Sequence, residues 1–516
     1  MKNNGNFATP LMLAASALLA ACGGSGSDSQ ALGGQNVAVL AAEETRHAKH
    51  PDAEKGKPKE ESREHDGRSF VPADPMAAAD YEQAADGGAG FRSLAGAGVQ
   101  TDRWAGLLDG SLYRIEVPHN WNGKLVMYAH GYAGTGPVLG VTMPSIRRHL
   151  IENGYAWAAS SYTKNYYDVR AGVEDTNLLA NSFKKIAAER GRKLHAPHKT
   201  YIVGHSMGGH IAGAAVEEET KKTAVNKTKY DGAVPMCGVM GDTELFDYFA
   251  AYQTVAQALA GHVHHPTREF AGIAADVRGK LFTTFSTVPT AEGMLLYQVV
   301  KHLTGGERPV YAQGFGNTAL QNVVWGTFGS DGTVNGILNR NTLDTKRFVY
   351  QFDDDPAVSA EEAAFNALVQ RLGAAADANR QRIDGLRWIP AVNGDFKVPV
   401  VSIHTLGDMY VPFSMQQIYK LRAKANKSDK LLVQRAIRAP SHCDFTVKEQ
   451  VEAFEAMIAW AEKGIKPGGD EVLDPAAVAN PKYGCAYTRN VAGPDDNPVT
   501  IATRNAIAPM LAACPS

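Results

Sequence analysis

The chain has 516 residues, with 52 Lys and Arg against 54 Asp and Glu, 44% hydrophobic residues and only 5 Cys. That length can carry one large or two ordinary globular domains with a substantial core, and it excludes a small disulfide-held scaffold. A net charge of −2 leaves no basic field of the kind that binds nucleic acid by releasing counterions, so function must reside in a local site.

The chain opens with Lys2 and a short apolar run from Leu11 to Leu19, ending in Leu19-Ala20-Ala21-Cys22. The run is shorter than the ~20 residues that cross a bilayer, which makes it the apolar part of a secretory signal. The tetrapeptide resembles the lipobox of bacterial lipoproteins. That resemblance implies removal of residues 1–21, acylation of Cys22 and, with Gly23 next, a place on the outer membrane. An ordinary cleaved signal with an incidental cysteine is the alternative, and both readings export the chain. Residues 22–100 are Gly/Ser-rich, then mixed in charge from Glu43 to Arg68, then Ala/Gly-rich. Such composition cannot bury enough apolar surface to offset ordering entropy and reads as a flexible tether. His47, His50 and His65 lie in it without metal-ligand spacing.

From about Thr101, short apolar runs alternate with amphipathic stretches, the pattern of a mostly parallel sheet flanked by helices. Ser111–Val117 reads as an exposed early strand. Lys124–Ala129, Tyr155–Tyr162, Lys199–Val203 and Gly232–Cys237 read as buried ones, with helices over Thr142–Asn153, about Asp175–Arg190 and from Met207. The alternation fails over residues 240–395, which are rich in aromatic residues and glycine. A structureless loop of that length is improbable, so the segment is expected to be an inserted, mainly helical lid, with Ser359-x-x-Glu362 as a capping box. Strand and helix resume with Val398–His404, Phe413–Lys424, Leu431–Ile437 and a last helix opened by Thr446-x-x-Glu449 and closed by Gly464. The domain reading is a core in two parts, 101–239 and 396–465, and a C-terminal tail over 466–516.

Directly after the strand ending at Val203 stands Gly204-His205-Ser206-Met207-Gly208-Gly209. A serine on a sharp strand-to-helix turn needs small neighbours on both sides, which is the nucleophile elbow. A serine hydroxyl needs a base, and this architecture orders the parts as serine, acid, histidine. The base is expected in Ala439-Pro440-Ser441-His442-Cys443 and the acid in Gly407-Asp408-Met409-Tyr410-Val411-Pro412, both loops at carboxyl ends of strands. Asp242 is the rival acid, and Asp444 is too near His442 to bend back onto its ring.

The elbow, the Asp408 turn and the late His442 resemble the α/β-hydrolase superfamily over roughly residues 101–463. The resemblance implies the α/β-hydrolase fold, with Ser206 as nucleophile, Asp408 as triad acid and His442 as base. An oxyanion needs two fixed N–H donors, here Met207 after the nucleophile and Tyr132 in His130-Gly131-Tyr132-Ala133-Gly134. The Gly-Tyr and Ser-Met-Gly-Gly pairing also resembles compact lipases, cutinases and polyester hydrolases, from which the large insertion departs. Tannase-like esterases likewise tie down a cysteine beside the histidine, but their partner cysteine occupies the place of His205.

With Cys22 set aside, four cysteines allow three pairings. Cys485 with Cys514 would pin the tail to itself. Cys237 with Cys443 would brace the histidine loop.

Other motifs carry less. Ser182-x-x-Lys185 lies mid-helix with no Lys-Thr-Gly after it. His262, His264 and His265 lack a zinc spacing, and Asp353–Asp355 lacks alternating oxygen ligands.

The sequence therefore reads as an exported, lipid-anchored serine hydrolase of small or oligomeric carboxylic esters. It calls on no metal or cofactor, touches the membrane only through its anchor and binds no nucleic acid. A prolyl-oligopeptidase-like peptidase is the alternative, though the tether is too short for a propeller. A binding lipoprotein on an inactive hydrolase scaffold is another.

Overall fold

The computed structural model describes residues 91–330 and 341–514. The expected signal segment, Cys22 and the expected tether up to residue 90 lie outside the described residues. Residues 91–100, which composition assigns to the tether, pack on the globular part. Phe91 is buried edge-on against Trp157, their ring centroids 5.6 Å apart.

The chain enters the sheet through a hairpin of β1 (Thr101–Leu108) and β2 (Ser111–Pro118). Asp109 and Gly110 join them, both at positive φ, the two-residue turn that matches strand twist. Sequence reading missed β1 and made β2 an exposed strand, yet every β2 residue is buried. Its polar alternation faces an internal ion pair, in which Glu116 accepts from Arg147 Nε at 2.6 Å and from Trp157 Nε1 at 2.9 Å.

Next come β3 (Lys124–Ala129), α1 (Arg147–Glu152), β4 (Ala156–Ser160), α2 (Val169–Glu189), β5 (Lys199–His205), α3 (Met207–Ala215), α4 (Glu218–Thr223) and β6 (Gly232–Met236). The first of the helices is shorter than the expected Thr142–Asn153, and α2 starts earlier than expected, capped by the Asp168 side chain on Ala171 N.

The segment 240–395 then builds α5 (Glu244–Leu259), α6 (Ala274–Leu281), the small hairpin β7 (Phe282–Thr284) with β8 (Val288–Pro289), α7 (Ala291–Leu303), α8 (Tyr311–Phe315), α9 (Thr318–Trp325) and α10 (Ala360–Leu368). Ser359 and Glu362 form the capping box of α10. Phe246, Tyr248, Phe249, Trp325 and Phe328 are all buried here and continuous with the core under α2 and α3, so they are packing residues of this segment.

The chain returns to the sheet with β9 (Val400–Thr405), α11 (Ser414–Ala425), β10 (Leu432–Ile437) and α12 (Val447–Lys463). The last of these opens with the Thr446–Glu449 capping box and closes at Gly464, φ +70°. Two short helices follow in the C-terminal segment, α13 (Pro475–Val478) and α14 (Pro498–Ile507).

The strand order is β1-β2-β4-β3-β5-β6-β9-β10, parallel from β4 to β10. Side chains alternate between two cores. Leu125 and Met127 face the α2, α3 and α11 side, while Val126 and Tyr128 face α1 and α12. This mostly parallel eight-stranded sheet between helical layers is the α/β-hydrolase fold. No described helix is long and apolar enough to cross a membrane.

Candidate active site

Ser206 stands between β5 and α3 with φ +58° and ψ −122°, a conformation a non-glycine residue holds only where its surroundings enforce it. The glycines around it explain the enforcement. A Cβ on Gly204 would lie 2.1 Å from Gly208 O, one on Gly208 would lie 2.0 Å from Ala129 O, and one on Gly209 would lie 2.6 Å from the Gly238 Cα. The turn closes only because those side chains are absent. Ser206 N donates to Met236 O at 3.0 Å, fixing the elbow against the neighbouring strand.

Asp408 follows β9 and is fully buried. Its Oδ1 accepts the N–H groups of Tyr410 and Val411 at 2.8 and 2.9 Å, which leaves Oδ2 pointed at His442 Nδ1, 2.5 Å away. His442 follows β10, and its Nε2 lies 2.8 Å from Ser206 Oγ. The acid and histidine loops are packed backbone to backbone. A Cβ on Gly407 would meet Pro440 Cα at 2.6 Å, and the Thr405 hydroxyl donates to Ser441 O at 2.8 Å. The rival Asp242 is elsewhere, its carboxylate held by Arg422 at 2.7 Å and by Val392 N at 3.0 Å. Asp444 turns toward Arg504.

Met207 follows Ser206 at the N-terminus of α3, where backbone N–H groups and the helix dipole favour a negative charge. Gly131 leaves room opposite, since a Cβ there would sit 3.3 Å from Ser206 Cβ and 3.8 Å from its Oγ. Tyr132, next in the chain, lines the same cavity as Ser206.

Two disulfides are present, Cys237–Cys443 and Cys485–Cys514, each with Cα atoms 5.3 Å apart. The first joins the end of β6 to the residue after His442, and both its cysteines adopt positive φ. The Cys237, His442 and Cys443 ligand atoms lie within 4.8 Å of one another, but the two sulfurs are already spent on each other.

Three histidines around the site are buried and held neutral by desolvation, their pKa values lowered to about 4: His205, His210 and His404. His404 donates from Nε2 to Val411 O at 2.7 Å, buttressing the turn that carries Asp408. His210 lies between the Tyr167 hydroxyl and Pro390 O, at 2.9 and 2.7 Å.

A cavity of about 250 Å³ opens beside Ser206. Part of its wall comes from Asp495, Asp496, Asn497 and Thr500 of the C-terminal segment, which sequence reading treated as a tail. Asn497-Pro498 does announce a helix start, but nothing in the local sequence brings it to a serine some 290 positions away. A larger cavity of about 530 Å³ lies between α7, residues 347–356 and residues 473–479, and none of Ser206, His442 or Asp408 lines it.

The remaining motifs scatter. His262 pairs with Asp276 at 2.6 Å and His265 Nε2 with Glu269 O at 3.0 Å. Asp354 pairs with Lys301 at 2.8 Å, and Lys185 stands exposed on α2.

No family model matches the chain. It is 23% identical over 424 residues to the o-phthalyl amidase of Xanthobacter agilis, a span of 71% of this chain and 88% of the amidase. Similar solved structures include feruloyl esterase B from Aspergillus oryzae, at 15% identity and a TM-score of 0.37 over 77% of this chain and 86% of that one. A Pyrococcus furiosus esterase gives 13% and 0.35 over 78% and 100%. The acylaminoacyl peptidase of Pyrococcus horikoshii gives 9% and 0.33 over 72% and 43%. By name, these proteins cleave amides, esters or peptides.

Proposed function

We propose that the chain is an exported serine hydrolase that cleaves carboxylic esters through an acyl-enzyme intermediate. The observation that carries the reading is the hydrogen-bonded line from Ser206 Oγ through His442 to Asp408, at 2.8 and 2.5 Å, set on a strained elbow. Ser206 Oγ attacks the acyl carbon while His442 Nε2 takes its proton. Asp408, its other oxygen tied to two backbone N–H groups, holds the imidazole ring in place and stabilises the imidazolium. The N–H groups of Met207 and Tyr132 receive the oxyanion. His442 returns the proton to the departing alcohol, and water repeats the sequence to free the acid. The chemistry draws on side chains and backbone alone and calls on no metal or cofactor.

The same reading places the protein outside the cytoplasm, tethered by acyl chains on Cys22, with a small or oligomeric ester as its partner and no nucleic acid. Two disulfides support an oxidising compartment. Amide cleavage is the second reading. What favours it is the similarity to an amidase that extends over 88% of that enzyme.

The full chain, assayed on p-nitrophenyl esters of increasing length and on aminoacyl p-nitroanilides and N-phthalyl amines, separates the two. Ester turnover that Ser206→Ala reduces by 10³-fold or more supports the proposal. Amide turnover alone moves the assignment to an amidase. Silence on all of them, with Ser206 unlabelled by a fluorophosphonate, overturns both.

A further inference from the structure

The loop that carries Asp408 is held from outside the sheet by the inserted segment. Between α7 and α8 lies Arg308, 2% exposed, whose Nε donates to Leu406 O at 2.7 Å, two residues before Asp408. Its Nη1 donates to Gly306 O at 2.8 Å and its Nη2 to the Thr304 hydroxyl at 3.1 Å, while the guanidinium carbon sits 5.0 Å from the Tyr311 ring centroid. The same loop takes two more contacts from the insertion. The Tyr248 hydroxyl donates to Met409 O at 2.9 Å, and a Cβ on Gly314 would lie 2.0 Å from Gly407 O.

Every hydrogen-bond partner of Arg308 is neutral, and among the described residues it forms no ion pair. Burial lowers its pKa to about 10, so it stays charged at neutral pH. A buried cation without a counter-ion is costly, and a neutral donor would anchor a carbonyl without that cost.

The groups around Arg308 single out the anion that its charge serves. Glu307, beside it, is exposed and pairs with Lys301 at 3.2 Å. Tyr297, Tyr311 and Tyr248 face it from α7, α8 and α5 and are kept protonated by burial. His404 faces it from β9 and is neutral. That leaves Asp408, buried on the loop that Arg308 grips. Asp408 and Arg308 act on the same two side chains, His404 and Tyr248, with opposite sign. Beside His442 stand neutral His205 and the Tyr410 ring, the latter 5.2 Å away.

We propose that Arg308 is a positioning residue of the hydrolase, which fixes the Asp408 loop from the insertion and whose charge favours the proton-poor state of the Asp408–His442 pair, the state able to take the Ser206 proton. The proposal rests on the serine-hydrolase reading of the same site.

Removing the cation favours the proton-bound pair, whichever of the two groups holds the proton, so the acid limb of activity should move to higher pH. The full chain is assayed for kcat/KM on p-nitrophenyl acetate over about pH 5 to 9, as wild type, Arg308→Gln, Arg308→Met and Arg308→Lys. The glutamine and methionine variants should raise the midpoint of the acid limb by about half a pH unit or more. Arg308→Lys keeps the charge but not the planar fork, and it should keep the midpoint while kcat falls about tenfold. Arg308→Met removes the charge together with its desolvation cost and carries the test if the glutamine variant does not fold. In parallel, isotope-labelled histidine rings of the Ser206→Ala chain, followed by NMR with and without Arg308→Met, read the His442 titration without turnover.

A residue that only anchors the loop would lower kcat at every pH and leave the midpoint in place. An unmoved midpoint in the glutamine and methionine variants, a midpoint that moves down, or an equal movement in Arg308→Lys therefore overturns the proposal. A His442 titration that rises with Arg308→Met, alongside no turnover by wild type and a Ser206 unlabelled by a fluorophosphonate, leaves the role of the charge standing and removes the catalytic reading instead.

Discussion

Gly131 and Gly208 both flank Ser206, the proposed nucleophile, yet they do different work. A methyl group on Gly131 meets the Ser206 side chain at 3.3 Å, a contact a small adjustment relieves, and that adjustment falls on the loop that presents Tyr132. With Tyr132 as the proposed oxyanion donor, Gly131→Ala should keep its melting temperature while losing on the order of 10²-fold in kcat. A methyl group on Gly208 meets a backbone oxygen at 2.0 Å, inside the core, where neither β3 nor α3 can yield. Gly208→Ala should cost more than about 3 kcal/mol in a denaturant titration. Equal effects of the two substitutions on melting temperature would show that the elbow and the oxyanion loop are not separable in this way.

Among the elements, α14 holds the histidine loop from outside the sheet. Arg504, 1% exposed, donates to the Glu449 carboxylate at 2.9 and 3.0 Å and to the carbonyl of Asp444, two residues from His442. Glu449 is also the capping-box residue of α12, accepting from Thr446 N, and it takes Arg489 N at 2.7 Å. Removing the cation strands a buried carboxylate. Arg504→Met should lose about 3–5 kcal/mol of stability, and Arg504→Met with Glu449→Leu should recover part of it. Because the loop carries His442, the proposed base, the single variant should also lower kcat more than it raises KM, which steady-state kinetics on any competent substrate will read. The Cys237–Cys443 bridge anchors the same loop from the sheet side. Replacing both cysteines with Ala should cost on the order of 2–4 kcal/mol without moving the Ser206 elbow, whose hydrogen bond to Met236 O is independent of it.

Across the whole molecule, buried titratable groups set opposing pH dependences. His205, His210 and His404 titrate near 4 when folded against 6.5 when unfolded. Each contributes stability that is complete above pH 6.5 and is lost as the pH falls toward 4. Burial acts the other way on carboxyls, raising Asp175 to about 7, Glu217 to about 8 and Asp470 to about 6. Their contribution is complete below the ordinary carboxyl range and is lost as the pH rises through those values. Between about pH 4.5 and 6 these six oppose one another, with His130 and His302 shifted by burial in the same direction as the three histidines and Asp444 in the same direction as the carboxyls, and of the six Asp175 and Glu217 still act above 6.5. Urea titrations should give a near-plateau over pH 5 to 6, then a fall from 6.5 to 8 of about 1.4 kcal/mol per pH unit for each carboxyl still protonated. Glu217→Gln should flatten that fall. Stability that rises from pH 6.5 to 8 would contradict the assignment.

What the sequence determined by itself is local. Glycine spacing around Ser206, the two capping boxes and the alternation of buried strands with helices depend on neighbours within a few positions. Steric exclusion, backbone hydrogen bonding and side-chain periodicity act at that range, and so the strand-to-helix turn and the mostly parallel sheet could be read directly. The Asp109-Gly110 turn, with both residues at positive φ, is as local a signal and marks the hairpin of β1 and β2. Burial of the polar face of β2 needed Arg147, 31 positions from Glu116, and so no periodicity could show it. Only the tertiary structure decided that residues 495–500 wall the cavity beside Ser206, that Arg504 braces the histidine loop and that the aromatic residues of 240–395 pack into a core. Those arrangements rest on which distant surfaces meet, and the free energy of that meeting belongs to the packed whole.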